Sequence, residues 1–336
     1  MLVQLWIRRY GLYRSAINSG VMTRLDFGLQ IEPQYGFNYE GIRGIAEEAE
    51  RLGFESLWVS DHFFLTPESV ETPCLECWTT LAALSRDTKK LRLGAMVASQ
   101  SYRNPALAAK MAASVDNVSE GRLNFGVGAG WKEAEYLAYG FPFPPPDTRI
   151  RQLNDALEIA KRMWTEQKAT YEGRYYSVHD VVCAPKPIQR PHPPIWIGGI
   201  GSFTLKIAAH HADAINFAWT IPIPQFKDKL EEFKCYCETR SRDYTGIRKS
   251  AGLMITMAED ENALATKLQE RETRANTPYM KYLANQPTNL VGTTDQVAVS
   301  IREYIALGVD HFILRFHFGE EIEGMRLFNE KVKPQL

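Results

Sequence analysis

The chain has 336 residues, 45% hydrophobic and 24% charged, with a net charge of -1. This is ordinary globular composition, long enough for two modest domains or one large α/β barrel. The near-neutral balance and the lack of a long charged block make nucleic acid and membrane surfaces poor partners, and no apolar run approaches the ~20 residues that span a bilayer.

Residues 1–21 mix basic and apolar side chains without a continuous apolar segment or a cleavage site. They read as an extension ahead of the fold, not as a signal peptide, and the fold is expected over residues 22–336 as one domain. The first strand is "LDFGLQI" (Leu25–Ile31). A helix follows, with Ile42, Ile45, Ala46 and Ala49 at helical spacing and Gly53 at its end. Then come a strand (Phe54–Ser60), a helix ("CWTTLAALSRDT"), a strand (Leu91–Ser99) and a helix with Pro105 in its first turn. "RLNFGVGAG" is the fourth strand. "FPFPPPDTR" reads as a proline-rich loop, "IRQLNDALEIAKRMWTEQ" as a long helix, and the stretch to Pro194 as an inserted hairpin and loop. Alternation resumes with Ile195–Gly199, a helix from Phe203, Asp213–Trp219, a further helix, Ser250–Ala258, more helix, and Val309–Phe316 with a closing helix.

Eight strands, apolar on both faces and each followed by helix, point to a buried parallel sheet. The expected architecture is a (β/α)8 TIM barrel with insertions, with an open doubly wound sheet as its rival. Five cysteines and no signal segment indicate reduced thiols and a cytoplasmic protein. Cys74 and Cys77 form a CxxC, and Cys235 and Cys237 a CxC. Four such thiolates bind zinc only if the fold joins them, and nothing in the sequence does so; no metal is expected.

In a barrel, function sits where the strands end. The first strand ends at Glu32, the second at Asp61-His62, the third at Ser99-Gln100. A His in that place either relays a proton near neutral pH or caps the turn; Asp61 either caps the loop or touches a ligand. "GGIGS" (Gly198, Gly199, Gly201, Ser202) stands before a helix, a place that attracts phosphate or makes a tight turn. Thr294 is an N-cap candidate for a later helix. "GVGAGW" has the wrong spacing and strand for a dinucleotide fingerprint.

The ordered set "GFESLWVSDHF", "LRLGAMVASQSYRNPALAAKMAASVDNVSEGRLNFGVGAGWKEAEYLAYGFPF", "PKPIQRPHPPIWIGG" and "ADAINF" resembles the luciferase-like monooxygenase superfamily, and within it the oxidoreductases that use the deazaflavin coenzyme F420. The resemblance implies hydride transfer between that ring and a small organic substrate. It places His62 against the ring as proton relay and a non-proline cis peptide at Met96–Val97, with Ala98 beside it. Gly128, Ala129, Gly130 and Trp131 would line the mouth; Gly198, Gly199 and Gly201 would hold the phosphate; Asp61 joins the cofactor set. Trp131 stands where sugar-phosphate dehydrogenases of the family keep a catalytic Glu, which leaves Glu32 as the alternative acid. An FMN-dependent monooxygenase and a non-catalytic flavin-binding barrel are the alternative functions. A homodimer is implied too. Loops Phe63–Trp78, Phe141–Arg149 and Tyr171–Pro194 are expected to choose the substrate.

Overall fold

A computed structural model describes residues 24–219, 221–274 and 290–336. The extension at residues 1–21 lies outside them. The elements run β1 (Asp26–Ile31), α1 (Tyr39–Arg51), β2 (Ser56–Val59), α2 (Cys77–Asp87), β3 (Arg92–Ala95), β4 (Ala98–Ser99), α3 (Pro105–Val118) and β5 (Leu123–Gly128). Next come α4 (Glu133–Ala138), α5 (Pro146–Thr165), the antiparallel hairpin β6 (Ala169–Glu172) and β7 (Ser177–Val181), β8 (Ile195–Gly198), α6 (Ser202–His211) and β9 (Ala214–Ala218). The last part holds α7 (Ile223–Thr239), β10 (Arg248–Ala258), α8 (Glu261–Arg274), β11 (Leu290–Thr293), α9 (Thr294–Ala306), β12 (His311–Arg315) and α10 (Glu321–Leu327).

Eight parallel strands close on themselves in the order β1, β2, β3, β5, β8, β9, β10, β12 and back to β1. This is the (β/α)8 barrel. β11 pairs only with the far end of β10, as an outer edge. The helices bury one apolar stripe each against the outside of the barrel, and the larger core fills that shell.

The barrel interior is filled separately. Trp58 and Trp196 meet with ring centroids 4.7 Å apart, and His311 lies 4.8 Å from Trp196. Room for Trp58 comes from a glycine on the next strand: a Cβ on Gly94 would sit 2.5 Å from the Trp58 ring. Register then aligns a polar thread. Asn216 is level with Ser250, and Ser250 with His311. Asn216 donates to the Ser250 hydroxyl at 2.9 Å, and that hydroxyl lies 3.0 Å from Nδ1 of His311. These three buried side chains are thus paired with one another, as burial requires.

Three local expectations change. The long helix begins at Pro146, inside the proline-rich stretch, because proline suits the first helical turn, where no amide partner is lost. The third strand breaks after Ala95, and β4 pairs with β5 alone. The α9 cap is Thr293, not Thr294: the Thr293 hydroxyl accepts from the Gln296 amide while the Gln296 side chain accepts from the Thr293 amide.

Candidate active site

The strand C-termini and the loops that follow enclose a cavity of about 1070 Å³. His62 lines it, two residues beyond Ser60 at the end of β2. Its Nδ1 lies 2.8 Å from Oε2 of Glu135, on α4. The Glu135 side chain is wholly buried. It also accepts the Phe63 amide at 2.8 Å, the Tyr102 hydroxyl at 2.8 Å and the Lys132 ammonium at 3.0 Å.

Burial on its own would raise the Glu135 pKa. Here His62, the Phe63 amide and the Lys132 charge outweigh burial and hold the carboxyl at about 2. Glu135 is therefore an anion at neutral pH and can only accept. The Nδ1–H of His62 donates to it, and Nε2 is the nitrogen left for other partners. The Trp131 ring, largely exposed at the cavity mouth, meets His62 edge-on with centroids 5.7 Å apart.

Glu32 also lines the cavity and is buried. One oxygen accepts from Gln30 at 2.8 Å, the other from Gln34, and Nη1 of Arg315 lies 3.5 Å away. Gln30 in turn donates to the Met96 carbonyl at 3.2 Å, which ties this carboxylate to the third-strand bulge. Asp61 has both oxygens engaged. Arg103 grips it at 2.7 and 2.9 Å, and the Ser99 amide donates to it at 3.1 Å. Its geometry is that of a clamp holding β4 to the β2 loop.

The Met96–Val97 peptide bond is cis, where the resemblance put it. Met96 and Val97 line the cavity. A Cβ on Gly128 would meet Val97 Cγ2 at 2.8 Å, and one on Gly198 would meet Val97 Cγ1 at 2.9 Å. Those two glycines therefore make room for Val97 as well as for any ligand. Gly130, at φ +79, has its missing Cβ space filled by the Tyr136 hydroxyl. Ala129, Gly130, Gly199 and Gly201 line the cavity. Ala98 does not: it is buried in the outer core, because strand alternation turns it away from the face that Val97 and Ser99 present.

A sequence model of the luciferase-like monooxygenase family matches residues 18–289. The chain belongs to that family. This luciferase-like chain is 28% identical over 322 residues to an FMNH2-dependent dimethylsulfone monooxygenase of Pseudomonas putida, covering 88% of each chain. It is 24% identical over 312 residues to an F420-dependent glucose-6-phosphate dehydrogenase of Amycolatopsis mediterranei, covering 87% of this chain and 92% of that one. Among solved structures, an F420-dependent secondary alcohol dehydrogenase in complex with an F420–acetone adduct superposes with a TM-score of 0.78 at 18% identity, covering 94% of this chain and all of that one.

Other expectations resolve on this luciferase-like framework. Of the three loops expected to choose the substrate, Phe63–Trp78 and Phe141–Arg149 contribute cavity walls, through Leu65, Thr66 and Arg149 among others. The hairpin stretch contributes none, since Tyr171 and Tyr176 bond to Asp155 and Gln100 instead. Phe63, Tyr102, Tyr139 and Phe141 stack on one another. Cys74 and Cys77 donate to the carbonyls of His62 and Val59. Among the described residues, the one group of three side chains placed to share a metal ion is Glu158, His210 and His211, and no cysteine belongs to it. Burial and the Lys161 charge hold the His211 imidazole neutral, with its pKa down at about 2. No described helix is long and apolar enough to cross a membrane.

Glu135 is the residue that sequence reading missed. It lies 73 positions from His62, so only the fold reveals the pair. The available signal was the helical step from Lys132 to Glu135 directly after the glycine strand.

Proposed function

We propose that this chain is an oxidoreductase that binds coenzyme F420 in the barrel mouth and transfers a hydride between its deazaflavin ring and a small organic substrate. The observation that carries this reading is the His62–Glu135 pair, 2.8 Å apart, on the wall of a cavity that also presents the Met96–Val97 bulge. When bound, the deazaflavin supplies the hydride chemistry. The chain supplies the rest. Met96 and Val97 form a wall for the ring, and Gly198, Gly199 and Gly201 leave room for the phosphate before α6. His62 Nε2 moves the proton that accompanies the hydride, taking it from a substrate hydroxyl or returning it to a carbonyl. Glu135 fixes the tautomer and stabilises the imidazolium that forms. Glu32, with its oxygens accepting from Gln30 and Gln34, helps to fix the floor of the site.

A second reading, an FMN-dependent monooxygenase, is favoured by the 28% identity to the dimethylsulfone enzyme. Titrating the purified protein with F420 and with FMN, followed by absorbance and fluorescence, separates the two. Tight FMN binding without F420 binding overturns the first reading. Binding of either without turnover across a broad panel of alcohols, aldehydes, ketones and sulfones supports a non-catalytic barrel instead.

A further inference from the structure

We infer that Arg149 is the charge partner of the cofactor's phosphate, completing an anion subsite with the N-terminus of α6. This rests on the reading that the cavity holds a phosphorylated ring cofactor, and it names a residue for a task otherwise left to backbone glycines.

Arg149 sits in the first turn of α5 and lines the cavity at only 7% exposure. Its guanidinium carbon stacks 4.0 Å from the Phe143 ring centroid, and Nη1 donates to the Pro144 carbonyl. Its Nε is buried with no hydrogen-bond partner. Among the described residues, no carboxylate lies within ion-pair distance of it. Two neighbouring arginines are different: the half-buried Arg103 grips Asp61 and Glu76, and the buried Arg315 faces Glu32. Arginine stays charged in any such environment, and buried charges are otherwise paired. One carbonyl and one aromatic face orient this guanidinium without neutralising it.

The second observation comes from the neighbouring helix. α5 and α6 pack side by side, and His211 at the end of α6 lies 3.1 Å from Asn154 of α5. Both helices follow barrel strands and run the same way. Moving back from that contact toward the mouth reaches Arg149 on α5 and Thr204 on α6, both of which line the cavity. The first turn of α6 has Gly201 as its N-cap, and no side chain caps its amides. Open helix amides and an uncompensated guanidinium on the wall of one cavity make a place for an anion. A phosphate ester fits, whether a terminal monoester as in FMN or an internal diester as in F420. Gly199, Gly201 and Ser202 are exposed, so a chain continuing from a diester has a way out to solvent.

The test is a fluorescence titration of wild type, Arg149→Gln and Arg149→Lys with four compounds: F420, the same deazaflavin ring with its ribityl chain but no phosphate, FMN and riboflavin. Arg149→Gln should weaken the phosphate-bearing compound that wild type binds by tenfold or more, and its phosphate-free counterpart by less than twofold. Arg149→Lys, which keeps the charge, should recover part of the loss. An equal loss for both members of a pair, or no loss for either, overturns the assignment. Which pair responds tells the diester from the monoester. If wild type binds no ring compound at all, the cofactor reading has failed, and inorganic phosphate decides the subsite alone. Protection of wild type but not Arg149→Gln against urea by phosphate upholds it; no protection of wild type refutes it.

Discussion

Glu135 and Arg149 are buried charges beside the same cavity, and the fold treats them in opposite ways. Glu135 has donors from His62, Phe63, Tyr102 and Lys132 around one carboxylate. Arg149 has a carbonyl, a ring face and a bare Nε. A buried ion surrounded by protein partners is part of the architecture and fixes the groups around it. One with no carboxylate beside it, on the wall of a cavity, leaves its charge for a ligand to meet. The contrast separates residues that hold the site's shape from residues that hold its cargo.

The His62–Glu135 side should break hardest. His62→Ala should lower turnover at saturating substrate by about 10²–10⁴-fold, the usual range for losing a general acid–base group, while ring binding stays within a few-fold. Unchanged turnover would remove His62 from the chemistry and leave the pair as a structural clamp. Asp61→Ala tests the same idea on stability. It strands the Arg103 guanidinium, which bonds Asp61 at 2.7 and 2.9 Å. Loss of one partner from such a pair costs about 3–5 kcal/mol, readable from urea unfolding. A loss below about 1 kcal/mol would mean that Glu76 suffices for Arg103.

What the sequence discloses follows the range of the forces involved. The eight barrel strands are legible because each is a local apolar run, and a fully buried parallel strand needs nothing more. The break in the third strand at Met96 is not legible from the residues alone, since "LRLGAMVAS" is one unbroken apolar run; only the family likeness pointed there. His62 was legible by position at a strand end. Its partner was not, for Glu135 and Glu133 look alike in "KEAEY", and only the turn of α4 buries one and exposes the other. Asp61 read first as a loop cap and second as a ligand contact, but its actual partner, Arg103, lies 42 residues away and only the fold brings the two together. Arg149 was hidden for a different reason. It lies in a stretch that reads as loop because of its prolines, and a charge at the edge of a proline run gives no hint of burial.

The pH dependence of stability sharpens the Glu135 half of the comparison. Its carboxyl pKa is depressed from an ordinary 4.5 to about 2 in the folded state. A depressed acid contributes stability above its unfolded pKa and loses it as pH falls through the folded one. The gap in urea midpoint between wild type and Glu135→Gln should therefore close steadily as pH drops from about 5 toward 2. A gap independent of pH across that window would mean that packing, not charge, makes the difference.

Arg149 should give the smallest stability effect and the most telling one. Arg149→Met keeps the length and the contact with Phe143 and removes the uncompensated charge. No carboxylate is left stranded, because none is paired to it. Replacing a buried charge with an apolar side chain of similar volume is often neutral or stabilising, so the unfolding free energy should move by less than about 1 kcal/mol in either direction. Measured beside Asp61→Ala in the same urea series, this variant asks whether the two arginines of the mouth differ as their partners do. A loss for Arg149→Met as large as that for Asp61→Ala would make Arg149 a structural strut of the proline loop. A small change, in a variant that has also lost its hold on phosphate, leaves the guanidinium with a ligand as its reason for being buried.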